Sequence, residues 1–157
     1  MKKEYIKHAW SVLCQNSSTD QTSNTLSLFN IFEEMTIDLS IDFDKQLVNK
    51  EYTVLAIPFQ LVSLWNRSTI YNEELVGDVK VVLKDPKNNI VQEFAYKLTI
   101  PADKRRMRFS FNMNGIKINL NKGGDYLFEV SVKGPDQIDF QRVAEIPLYV
   151  AINKPKS

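Results

Sequence analysis

Apolar residues recur at every second position through most of the chain. A half-buried β-strand imposes this spacing, because successive side chains point to opposite faces. The first such segment, Tyr5 to Gln15, puts Trp10, Val12 and Cys14 on one face and Ala9 and Leu13 on the other. The polar run from Asn16 to Asn24 then reads as a loop. From Thr25 to Phe43 the apolar positions are Phe29, Ile31, Met35, Ile37, Leu39, Ile41 and Phe43. That stretch is too long for one strand, so a bulge or break is expected near Glu33-Glu34. Phe29 to Met35 also fits a short, poorly capped helical turn, but the strand reading is preferred. Leu55, Ile57, Phe59 and Leu61 mark one face of the next strand, with Trp65 in phase. Pro58 cannot donate to a ladder and predicts an edge position or a bulge.

Val79, Val81 and Leu83 alternate with lysines, and Asp85-Pro86-Lys87-Asn88-Asn89 makes a turn because Asn tolerates left-handed geometry. The return strand carries Ile90, Phe94, Tyr96, Leu98 and Ile100 inward, so Gly77 to Ile100 is read as a hairpin. Met107, Phe109, Phe111 and Met113 alternate with Arg106, Arg108, Ser110 and Asn112, and the parity switches around Gly115. Strands over Tyr126 to Val132 and Ala144 to Ile152 complete the set before a polar tail from Asn153. About eight strands without a long amphipathic helix predict an all-β fold, a two-sheet antiparallel sandwich spanning residues 1–157 as one domain. Gly123-Gly124-Asp125-Tyr126 resembles the Gly-x-Tyr start of a late strand in immunoglobulin-like domains, where the tyrosine pins a corner; this resemblance implies an immunoglobulin-like sandwich.

Composition narrows the function classes. Twenty Lys+Arg against nineteen Asp+Glu give a formal charge of +1, too little for a global field that holds nucleic acid or a membrane surface. Cys14 is the only cysteine, which excludes an intramolecular disulfide and suits a reducing compartment. No apolar run follows the basic start, so a cytoplasmic protein with no membrane span is expected. His8 and Cys14 are the only residues of their kinds, and unbroken alternation would hold them about 20 Å apart on one face. A metal shared by the two and Cys-His nucleophilic catalysis both fail on that distance, and structural zinc lacks its four Cys/His ligands unless carboxylates or another chain supply most of them. No phosphate-cradling glycine loop and no Gly-x-Ser-x-Gly turn occurs. The expectation is a protein with no catalytic residues and no cofactor.

The remaining candidates are binding residues. Trp65, Arg67 and Tyr71 form an aromatic loop of the kind found in interfaces, with a core tryptophan as the alternative. Arg106 and Arg108 project from one strand face, where they touch phosphates or an acidic partner, with blocking of edge-to-edge pairing preferred to nucleic-acid binding. Asp42 and Asp44 share a parity and are the candidate calcium ligands, with solvent-facing strand positions as the alternative. The pattern from His8-Ala9-Trp10 through Cys14, with Leu26 to Glu33 and the Gly-Gly-Asp-Tyr strand start, resembles small uncharacterised bacterial single-domain β-sandwich proteins. The resemblance implies a bacterial or phage-related accessory domain and transfers no functional residue. Its partner is expected to be another protein or a further copy of the chain.

Overall fold

A computed structural model describes residues 5–39, 52–68, 72–121 and 123–155. Among them are eleven strands: β1 (Ile6–Thr19), β2 (Leu26–Ile31), β3 (Glu34–Asp38), β4 (Thr53–Leu55), β5 (Phe59–Arg67), β6 (Leu75–Lys84), β7 (Ile90–Ile100), β8 (Arg106–Met113), β9 (Ile116–Ile118), β10 (Gly124–Lys133) and β11 (Gln141–Asn153). They form a four-stranded sheet I in the order β2-β1-β5-β8, a five-stranded sheet II in the order β3-β11-β10-β6-β7, and a small ribbon of β4 and β9. The fold is all-β, and the two larger sheets enclose one apolar core in the manner of a sandwich.

The expected hairpin is present as β6 and β7, paired antiparallel from Leu75 opposite Ile100 to Lys84 opposite Ile90. Its turn closes on the Asp85 carboxylate, which accepts the Lys87 and Asn89 amide N–H bonds, each at 2.9 Å. Asn88 takes the left-handed φ of 68° that asparagine tolerates. The break anticipated near Glu33 is also present, because Phe32 and Glu33 carry the chain from β2 in sheet I to β3 in sheet II. Phe29 to Met35 is therefore two strand pieces and not a helix. Gly115 lies where the chain leaves β8 for β9.

Several expectations are corrected. The count is eleven strands among the described residues, since short pieces such as β4 and β9 are too brief to show a period. The pairing is not wholly antiparallel: β3 runs parallel to β11, Met35 opposite Val150, because the crossover delivers β3 to the far sheet in the direction of the last strand. Asn16 to Thr19 belongs to β1, and Asn16 pairs with Phe29. Ladder bonds are made by backbone, so polar side chains at an exposed strand end do not prevent them. Pro58 precedes β5, which is an interior strand between β1 and β8. Ile90 is 57% exposed, because a bulge between Leu83 and Lys84 reverses its parity.

The core faces Leu13, Phe59, Leu61 and Trp65 of sheet I toward Val79, Val81, Phe128, Val130, Leu148 and Val150 of sheet II. Tyr96 and Phe109 stack across the β7–β8 side with ring centroids 4.3 Å apart. The Tyr126 hydroxyl accepts the Asn119 N–H at 2.9 Å, tying the start of β10 to the segment before it.

Candidate functional site

Trp65 is fully buried. It faces the core from the middle strands of sheet I, so a partner cannot reach it, and the core alternative describes it. The expected contact loop thereby loses its anchor. Arg67 is turned inward upon backbone: its Nη2 lies 2.8 Å from the Glu73 carbonyl, 2.9 Å from that of Ile100 and 2.8 Å from that of Pro101. Tyr71, Asp42 and Asp44 lie outside the described residues. Arg106 is exposed, and Arg108 donates to the Asn24 carbonyl at 2.7 Å, tying β8 to the β1–β2 turn. Arg106 and Arg108 share the outer face of sheet I, as alternation predicts, but they lie apart from the inward-facing Trp65. Among the described residues no group of three or more His, Cys, Asp or Glu is placed to hold a metal ion. Nor is any helix long and apolar enough to cross a membrane.

A bulge missed by sequence reasoning creates the one histidine contact of interest. The β1–β5 register shifts between His8 and Trp10, so His8 opposes Trp65 on the core side while Cys14 opposes Gln60 on the outer side. The two residues expected on one face are on opposite faces. The shift brings His8 Nε2 to 2.7 Å from the Ser11 hydroxyl, which lies 2.7 Å from the buried Ser63 hydroxyl. The imidazole also meets the Trp65 indole edge to face at 5.1 Å. Further in, the Tyr96 hydroxyl and the Trp65 indole N–H are buried without a well-formed hydrogen bond. Ser63 and Trp65 still lie near enough to oppose the effect of burial on the phenol, which pushes its pKa up to about 12.

Burial holds the His8 imidazole below its ordinary value. The unfolded chain therefore takes up the proton first as the pH falls. The stability contributed by neutral His8 is complete above about pH 6.5 and is lost as the pH drops through the lower folded value. Lys7 and Arg142, which line the same cavity of about 310 Å³, add no counter-charge for an imidazolium. Thermal melts should fall from about pH 7 toward pH 5, and His8→Gln should flatten that limb. The carboxylate limb lies lower: Glu129, held down by its hydrogen bond with Lys84 against the opposing effect of burial, loses its contribution only below about pH 4.3. Equal slopes for wild type and variant above pH 5 would refute the assignment to His8.

The outer face of sheet I carries an apolar grouping that is exposed at its β2 edge, while Val62 and Cys14 within it are buried. Register places Trp10 beside Leu64, Val12 beside Val62, and Ile31 beside Cys14, with Phe29 beside Asn16 at the edge. Phe29 and Ile31 are 50% and 54% exposed, and Trp10, Val12 and Leu64 are half-buried. The Cys14 thiol is buried, and burial raises its pKa, which disfavours the reactive thiolate. Alternation showed Trp10, Val12 and Cys14 as one face, but only the pairing with β2 and β5 shows how far that face extends. No protein-family model and no curated protein matches the chain.

Proposed function

We propose that the chain is a non-catalytic binding module, a cytoplasmic bacterial or phage domain that holds a protein partner on the outer face of sheet I. The observation that carries this reading is the apolar surface around Trp10, Leu64, Ile31 and Phe29, bordered by the outward Arg106 and Arg108. Apolar patches rimmed by polar groups are where proteins dock, and arginine is favoured at such margins. The immunoglobulin-like assignment draws support from Tyr126, whose hydroxyl bonds back to Asn119 as in a tyrosine corner.

Ile31→Glu tests the surface. The residue is half-exposed on an edge strand, so the melting temperature should stay within about 2 °C of wild type. Capture of a partner from the native host should fall by at least about tenfold, since a buried interfacial charge costs more than 1.4 kcal/mol. Equal capture by both proteins would remove this face from consideration.

A further inference from the structure

We infer that a cavity of about 540 Å³ at one end of sheet I is a binding site for a saccharide, a neutral ligand read through its hydroxyl groups. The cavity has the size of a small-molecule pocket. Its polar wall consists of the carboxamides of Gln15, Asn16, Asn30, Gln60, Asn112 and Asn114, and no lining side chain is ionisable. Half-exposed Phe29 supplies an apolar wall.

Sheet register assembles the site from distant segments. Asn16 opposes Phe29 across β1 and β2, and Gln60 opposes Asn112 across β5 and β8. Asn30 takes a left-handed φ of 53° and donates its amide to Gln15 Oε1 at 2.6 Å. Asn16 Oδ1 accepts the Ser17 N–H at 2.9 Å, and Gln60 Oε1 accepts the Ser17 hydroxyl at 2.7 Å. These bonds occupy the oxygens of Gln15, Asn16 and Gln60 and orient their NH₂ groups as donors. Among the described residues no side-chain hydrogen bond or ion pair engages Asn112 or Asn114.

That chemistry selects the ligand class. A carboxamide has two donors and an acceptor, which match a hydroxyl that both donates and accepts. The NH₂ groups suit hydroxyl, ring and glycosidic oxygens, while the aromatic face of Phe29 suits the C–H face of a pyranose. A phosphate or carboxylate would lose hydration without gaining a counter-charge, and a metal ion would find no carboxylate. An extended peptide would draw on the backbone groups of a strand edge, whereas these groups are side chains spread across neighbouring strands.

Titration of the ¹⁵N-labelled full chain with cello-, manno-, xylo- and chito-oligosaccharides tests the site by NMR. At least one series should shift the side-chain amide signals of Gln60 and Asn112 saturably, with a dissociation constant near or below about 1 mM. The double variant Gln60→Ala/Asn112→Ala should weaken binding at least about tenfold with an otherwise preserved backbone spectrum. Ile138→Ser should leave the titration unchanged, because Ile138 is exposed and does not line the cavity. The inference is overturned if no series moves these signals at about 10 mM sugar. It is equally overturned if the double variant binds as wild type does, or if glucose 6-phosphate or a neutral hexapeptide binds there more tightly than every sugar.

Discussion

Replacing Trp65 with alanine should destabilise the protein by about 3–5 kcal/mol, the cost of emptying a large aromatic site that neighbours fill only partly. The side chain is fully buried in sheet I, opposite His8 of β1 and Met107 of β8. Its indole N–H makes no well-formed hydrogen bond, so the loss is one of packing and of the edge-to-face contact with His8. Trp65→Phe keeps much of the apolar volume and should cost less than half as much. Domains of this size are stable by about 5–15 kcal/mol, so the alanine variant should unfold at clearly lower urea. A midpoint shift equivalent to less than about 1 kcal/mol would mean that Trp65 is not packed as described.

The strand period was legible because alternating burial leaves a direct mark on composition, as at Tyr126, Phe128, Val130 and Val132, all buried on one face of β10. The break at Phe32-Glu33 was legible for a related reason: a continuous strand there would have been too long. Bulges were not. One extra residue after His8 leaves every local preference intact yet reverses which side chains face the core, and another bulge exposes Ile90. The parallel pairing of β3 with β11 joins segments more than a hundred residues apart and leaves no local signal. Trp65 shared the phase of Leu61 and so carried its core position in plain view, but the neighbouring Asn66 and Arg67 drew it into a loop reading. The carboxamide cavity was invisible for a different reason. Its amides come from separate strands and connections, and only register gathers them.

Arg67 was expected to face a partner, and the variant Arg67→Ala distinguishes that role from the one its geometry describes. Its guanidinium donates to the carbonyls of Glu73, Ile100 and Pro101 and, at 3.3 Å, to that of Ala102. Its own backbone N–H donates to the Arg105 carbonyl at 3.0 Å. One side chain on β5 of sheet I thus ties down the connection that follows β7 of sheet II. Hydrogen bonds from a charged donor are worth more than neutral ones, and truncation leaves several carbonyls to find water at a partly buried site. Arg67→Ala should therefore cost about 2–4 kcal/mol without any partner present. Arg67→Lys should recover only a minority of the loss, because a single ammonium cannot span acceptors arranged around a planar fork. Hydrogen exchange localises the effect: the Lys104 amide, which donates to the Pro101 carbonyl at 3.0 Å, should lose protection before the β10–β11 ladder does. An alanine variant that melts like wild type and keeps that amide protected would return Arg67 to the binding surface, since a side chain held for a partner contributes little until the partner arrives.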